Sequence, residues 1–370
     1  MKLEVAEIFR RFGPSYLEKF DRSMLPNHRK TIEDIIHCRT SILGGHIYFC
    51  YSCGEYHYNY HSCGNRHCPK CQHDKCEDWL TEQKRLLLPV NYFLVTFTIP
   101  ESLRRIARCN QNLFYNILFS ASSQSMLKLA EDKRFIGGTP GMIGILHTWT
   151  RNLHYHPHLH FLIPGGGLSP NGKEWKKARE DFLFPVKALS EIFKAKFRDL
   201  LKEKKPQLFK TLAANTFKQN WVVNCIAVGT GQSALKYLAP YIFRVAISNN
   251  RIKRITDDHI TFTYKQSKSK LKKNTTIHAH EFIRRFLQHV LPKGFVKIRY
   301  YGIFAFKNKH LLQRVRDLFQ IKLDQSIKKN ISKTVVCPVC GMNMIFICEI
   351  HKGEQWPNAP PKMALMQNIT

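Results

Sequence analysis

The spacing of apolar and polar positions changes period several times along the chain, and each change marks an element. Around Tyr16 to Cys38 the spacing is helical. From Tyr92 to Ile99 β-forming residues alternate until Pro100, which predicts a strand, and Glu101 to Ala130 predicts one or two helices. Gly141 to Thr150 predicts a second strand and His156 to Pro164 a third. The link Arg151 to Tyr155 is short, so these two strands should form an antiparallel hairpin. Gly165-Gly166-Gly167 ends the third strand in a flexible turn. A helical region from Val186 to about Lys218, a strand over Trp221 to Val228 and a short helix from Gly231 to Arg244 follow. Leu235, Leu238, Ile242 and Val245 make the apolar stripe of that helix, with Tyr237, Tyr241 and Arg244 on a separate flank. Ile247 to Tyr264 has the pattern of a hairpin across Asp257-Asp258, and Lys265 to Lys273 that of a Lys-rich loop. Glu281 to Val290 and Lys309 to about Leu323 predict helices, and the Pro-rich tail beyond Lys352 predicts disorder.

The third strand holds the densest candidate chemistry. Its two-residue period sends His156, His158 and His160 to one face and Pro157, Leu159 and Phe161 to the other. Imidazole is a common ligand for divalent metals. Residues four apart on a strand lie roughly 13 Å apart, so His156 and His160 cannot share an ion. A site would use His158 with His160, or His156 with His158. If the hairpin turn is centred near Asn152 and Leu153, His147 lies opposite His158 with Cβ atoms about 5 Å apart, which makes it the candidate third ligand. A one-residue slip in register would turn it to the wrong face.

Composition adds a partner. The chain has 58 Lys+Arg against 27 Asp+Glu in 370 residues, a net charge of +31, and a polyanion is the expected ligand of such a surface. A hydrophobic content of 44% with 12% aromatic residues excludes a disordered chain. No run reaches the roughly 18 apolar residues of a membrane helix. A cytoplasmic, nucleoid-associated protein with no membrane partner is expected. No residue pattern sets an oligomeric state. Three parts are expected: 1–85, 86–308 and 309–370.

In a reducing compartment twelve cysteines point to zinc rather than disulfides. Cys50-Tyr-Ser-Cys53 and Cys68-Pro-Lys-Cys71 have nearly the spacing of a zinc ribbon, in which both knuckles serve one structural ion. A second ion could take Cys38 and Cys63 with His61 or His67. Near the end, Cys337-Pro-Val-Cys340 followed by Cys348-Glu-Ile-His351 could close a further tetrahedral site. Lys297-Ile-Arg299-Tyr300 interleaves cations with aromatics, as single-strand binders do.

Metal-binding histidines on a sheet, tyrosines on a nearby helix and a basic envelope fit phosphoryl transfer. A tyrosine phosphodiester keeps the bond energy, so a strand can be resealed without a nucleotide cofactor.

At this point the residues resemble a family. The string from Leu146-His147-Thr-Trp to His158-Leu-His160-Phe-Leu-Ile-Pro-Gly-Gly-Gly resembles the HUH motif of two-tyrosine rolling-circle transposases of the insertion sequence 91 family. Tyr237-Leu-Ala-Pro-Tyr241-Ile-Phe-Arg is similar to their tyrosine helix. Cys38-Arg-Thr, Cys50-x-x-Cys53-Gly and Cys63-Gly-Asn-Arg-His-Cys68-Pro-Lys-Cys71 resemble their N-terminal zinc-binding domain, and His289-Val-Leu-Pro-Lys-Gly-Phe is similar to the start of a later signature. The resemblance implies an α+β HUH-endonuclease fold, a central antiparallel sheet with helices, preceded by a small zinc-ribbon-like domain. It also implies cleavage of single-stranded DNA at insertion-sequence ends through 5′-phosphotyrosine intermediates with Mg²⁺ or Mn²⁺ in addition to structural Zn²⁺. His158 and His160 inherit the metal role, Tyr237 and Tyr241 the nucleophile role. Two features depart from the family: Pro240 between the tyrosines should kink their helix, and Arg151 stands where related sequences often carry glutamine. The alternatives are a replication initiator or relaxase of the same chemistry, and a non-catalytic zinc-containing nucleic-acid-binding protein.

Overall fold

The computed structural model describes residues 3–84, 86–213, 215–231, 233, 235, 245–266, 271–321 and 334–354. In chain order these form α1 (Val5–Phe20), α2 (Pro26–His37), β1 (Gly45–Phe49), β2 (Tyr56–Tyr60), α3 (Pro69–Lys84), β3 (Asn91–Thr98), α4 (Glu101–Cys109) and α5 (Gln111–Ala130). There follow β4 (Gly141–Trp149), β5 (Tyr155–Pro164), β6 (Gly166–Leu168), β7 (Trp175–Lys177), α6 (Val186–Lys204), α7 (Pro206–Lys210) and β8 (Val222–Thr230). The chain continues through β9 (Ile252–Ile255), β10 (His259–Lys265), β11 (Lys272–His278), α8 (Ala279–Leu287), β12 (Ile298–Gly302), α9 (Lys309–Leu318) and β13 (Ile345–Ile350).

The fold is α+β around a central antiparallel sheet of order β12-β4-β5-β3-β8. The histidine strand β5 is its middle strand. The period of two along β5 decides what each face does. Leu159, Phe161 and Ile163 join Val95, Phe97 and the buried faces of α5 and α6 in the largest core. Full burial of each such side chain contributes roughly 1.5–3 kcal/mol, so this face anchors the sheet. On the opposite face Leu94, Ile143, Ile145 and Leu162 are covered by Leu88, Leu235, Phe304, Leu312 and Val315. Toward the β4–β5 turn that second face becomes polar, with Thr96, His147, His158 and His160. At its edge β8 stays open: Val222 is 66% exposed, and Asn224 and Ile226 are exposed too.

Several expectations change. The helical stretch before the cysteines is two helices, because Pro26, which lacks an N–H, starts α2 where no intrahelical bond is lost. The glycine run is no free turn, since Gly166 to Leu168 pair with β7. Gly166 has φ 148°, and a Cβ there would sit 2.4 Å from the Lys176 carbonyl oxygen, so only glycine fits. The three-part division is crossed twice by packing. Val5, Ile8, Phe9, Ile32 and Ile35 share one core with Ile260, Phe262, Phe282 and Phe286 of β10 and α8. From the other end, β13 pairs antiparallel with β1 to give a sheet of order β13-β1-β2. Local periodicity cannot see either contact. No helix among the described residues is long and apolar enough to cross a membrane. Tyr237, Tyr241 and Arg244, and the tail from 355, lie outside the described residues; Leu235 and Val245, the outer members of the apolar stripe, are buried.

Candidate functional site

The hairpin register is the one that the turn arithmetic requires: His147 pairs with His158, and Ile145 with His160. One ligand nitrogen from each of His147, His158 and His160 lies within 4.8 Å of the other two. His147 and His160 are buried and His158 half-buried. The rings are held from behind. His158 donates its Nδ1 hydrogen to the His156 carbonyl oxygen at 2.7 Å, and His160 Nδ1 lies 3.0 Å from Thr96 Oγ1, its cross-strand neighbour on β3. The carbonyl fixes the His158 tautomer and presents its Nε2 as the ligand nitrogen, and the Thr96 hydroxyl can accept from His160 Nδ1 in the same way, the usual support of a metal-binding histidine. Burial pushes His158 down to about 4, which keeps the ring neutral with a lone pair available. The donor set therefore fits a divalent ion with open positions. His156 points along the same face, its ring held down to about 4 by burial and by the nearby Arg104 charge.

The turn that sets this register is itself pinned. Leu153 has a positive φ of 66° and is fully buried. Its carbonyl oxygen accepts from Gln288 Nε2 at 2.8 Å and from His289 Nε2 at 3.2 Å, while His289 Nδ1 faces Thr148 Oγ1 at 3.3 Å. The His289 signature of the sequence thus locks the hairpin, so that His147 stays beneath His158. Arg151 sits on the turn, with its guanidinium 3.4 Å from the Lys265 carbonyl oxygen.

The cysteines regroup. Cys38, Cys63, Cys68 and Cys71 form one tetrad, and Cys50, Cys53, Cys337 and Cys340 a second. Sγ separations of 3.5–3.6 Å in the first and 3.4–3.6 Å in the second match the edge of about 3.8 Å of a tetrahedron with 2.3 Å arms. The expected sharing of one ion by Cys50, Cys53, Cys68 and Cys71 is corrected by the β1–β2 hairpin. Cys50 and Cys53 are at its tip, whereas Cys38 and Cys63 flank its base about 16 Å away. Hydrogen bonds from Cys63 and Cys68 lower the Cys38 thiol to about 7, and the Cys340 backbone N–H lowers Cys337 to about 7. His67 is not a ligand: its Nε2 accepts from the Leu291 N–H at 3.2 Å. Cys348 and His351 also stand apart, Cys348 because it lies within β13 opposite Ile47.

The two knuckles of the second tetrad repeat one design. Gly54 N donates to Cys50 O at 2.8 Å and Gly341 N to Cys337 O at 2.9 Å, and both glycines have positive φ, 73° and 75°. The shared Cys-x-x-Cys-Gly string was the signal that pairs them.

The aromatic-basic stretch on β12 is half-buried, and its side chains also serve the fold. Tyr300 donates to Gln83, Arg299 bonds Asn116 and lies over the Phe119 and Phe295 rings, and burial lowers the Lys297 ammonium to about 8. A further cationic surface lies on α4, beside the start of β5. Leu103 and Ala107 bury one side of this helix, and Arg104, Arg105 and Arg108 line an open cleft of about 480 Å³ with Glu101, His154 and Tyr155. Arg104 is close enough for its charge to act on His156 and His158. The helical spacing of these arginines was readable, but not that they border β5.

Comparison with known proteins decides the family. A family model described as "Transposase zinc-binding domain" matches residues 8–99, and one described as "Putative transposase" matches residues 141–311. The chain is 36% identical over 386 residues to "Putative transposase y4qJ" of Sinorhizobium fredii (strain NBRC 101917 / NGR234), covering 96% of this chain and 97% of that protein. It belongs to the insertion sequence 91 family of transposases. A second relative of this transposase, "Transposase for insertion sequence element IS801" of Pseudomonas savastanoi pv. phaseolicola, is 28% identical over 295 residues, 75% of this chain and 70% of that protein. No solved structure matches the transposase. The zinc-binding match supports structural Zn²⁺ at the cysteines, and it ends at residue 99, so Cys337 and Cys340 of the second tetrad lie beyond it.

Proposed function

We propose that this transposase cleaves and rejoins single-stranded DNA at the ends of an insertion sequence, with His147, His158 and His160 holding a catalytic Mg²⁺ or Mn²⁺ and Tyr237 and Tyr241 as nucleophiles. The observation that carries the reading is the convergence of three supported imidazoles on one face of the central sheet. The family match over residues 141–311 spans the histidines and both tyrosines. Once bound, the ion supplies positive charge to the scissile phosphate and to the leaving oxygen. A tyrosine Oη then attacks phosphorus, the bond from phosphorus to the 3′ oxygen breaks, and the tyrosine proton is lost as the 3′ oxygen gains one. The 5′ end stays on the enzyme as a phosphotyrosine. Attack by a 3′ hydroxyl reverses the step and needs no nucleotide. A second tyrosine allows two strand ends to be held together.

The test is a covalent adduct. Incubation with single-stranded terminal DNA and Mn²⁺ should give a protein–DNA species that survives a denaturing gel, absent from the Tyr237→Phe/Tyr241→Phe protein. An adduct that persists in the double variant refutes the tyrosine assignment. Duplex DNA cleaved as well as single strands would refute the substrate.

The α4 cleft is the proposed strand path. Arg104→Ala with Arg108→Ala should weaken single-strand binding and reduce the slope of log affinity against log salt by about 1.4, or 0.7 per lost phosphate contact. Fluorescence anisotropy across a salt series measures this. An unchanged slope would remove α4 from the interface.

A further inference from the structure

A fourth set of metal-ligand side chains lies away from the central sheet and outside both cysteine tetrads. His46 on β1, His61 just after β2 and Glu349 on β13 each place a ligand atom within 4.8 Å of the other two. The three come from separate chain segments, and sheet register brings them together. His46 is directly opposite Glu349 across the β1–β13 ladder, and opposite Asn59, two residues before His61, across the β1–β2 ladder. His61 is fixed at the backbone, its N–H donating to Gly44 O at 2.9 Å and its carbonyl accepting from the Arg39 N–H at 3.1 Å. The His46 ring packs edge-on against His61, Tyr48 and Phe346, at 4.9, 6.3 and 5.7 Å between centroids. None of the three side chains makes a hydrogen bond or ion pair with another described residue. Two imidazoles and one carboxylate that converge without bonding one another form the donor set of an open Zn²⁺-type site.

We propose that His46, His61 and Glu349 bind a divalent d-block cation, of which Zn²⁺ is the expected occupant. His46 and His61 are half-buried and Glu349 exposed, so an ion can enter from solvent and keep water in its remaining positions. All three ligand segments belong to the β13-β1-β2 sheet or its immediate continuation. The ion would therefore tie the C-terminal strand to the N-terminal module at a point other than the cysteine tetrads.

The probe is Co²⁺, added to full-length protein carrying His158→Ala and His160→Ala, so that the sheet histidines do not compete, after dialysis against a mild chelator that empties the histidine–carboxylate site and leaves the thiolate-bound zinc in place. About one further equivalent of Co²⁺ should bind, with weak d–d absorption and no thiolate charge-transfer band. His46→Ala and the isosteric Glu349→Gln should each weaken that uptake by at least about tenfold, as loss of even an outer-shell partner does, with the zinc content unchanged. Asn59→Ala, beside the site but not in it, should leave uptake as it was. Uptake equal in parent, His46→Ala and Glu349→Gln proteins overturns the proposal, as does a parent that takes up no further Co²⁺.

Discussion

Replacing His158 and His160 together with alanine should lower strand cleavage at least about a thousandfold, which corresponds to about 4 kcal/mol of lost transition-state stabilisation. Single-strand binding should stay within about twofold of wild type, because the proposed strand path runs over α4 rather than β5. In the proposed mechanism the histidines serve the scissile phosphate alone, whereas affinity is summed over many phosphates, so the two effects separate. His160 is 7% exposed, so a truncated ring leaves a void in the second face of the sheet. The His158→Gln/His160→Gln protein retains most of that volume and should show the same loss of cleavage. Cleavage rates, anisotropy titrations and thermal melts on both variants provide the check. If cleavage, binding and melting temperature fall together in the glutamine variant, the imidazoles serve the fold and not the reaction.

The histidine hairpin was legible in the sequence because its information is local. Strand periodicity separates His158 and His160 from Leu159 and Phe161, and a short link between two strands leaves little freedom in where His147 falls. The support of these rings was less visible. Thr96 is 64 residues from His160, and His289 is 136 residues from Leu153. Nothing in either local pattern distinguishes a threonine that holds an imidazole from one that merely lines a strand.

The zinc ligands show the same limit more sharply. Two Cys-x-x-Cys pairs close in sequence invite pairing with each other, yet the intervening hairpin sends them to opposite ends. Cys337 and Cys340, which join Cys50 and Cys53, come after the whole central sheet in sequence. β12's alternation of cations and aromatics has a structural use that was equally hidden, since Arg299 bonds Asn116 and Tyr300 donates to Gln83.

That long-range tetrad leads to the other large expected effect. Cys50 and Cys340 are 290 residues apart, so an ion held between them closes nearly the whole chain into a loop. In the chain-entropy treatment of a cross-link, a loop of that length contributes roughly 5–6 kcal/mol by restricting the unfolded state. Cys340→Ser removes one ligand at an exposed position, where the smaller oxygen leaves no core void. The variant should contain one zinc fewer by elemental analysis and melt on the order of 10 °C lower. The loss should also be localised. Among the described residues β13 pairs with β1 alone, so its Ile345–Ile350 amides should lose hydrogen-exchange protection, while those of β4 and β5 keep theirs. Cys63→Ser, in the other tetrad, should remove a zinc too but loosen α2 and the start of α3 first. A Cys340→Ser protein with wild-type zinc, or with β13 still protected, would show that the second tetrad closes without an ion and that strand pairing alone holds the C-terminal segment.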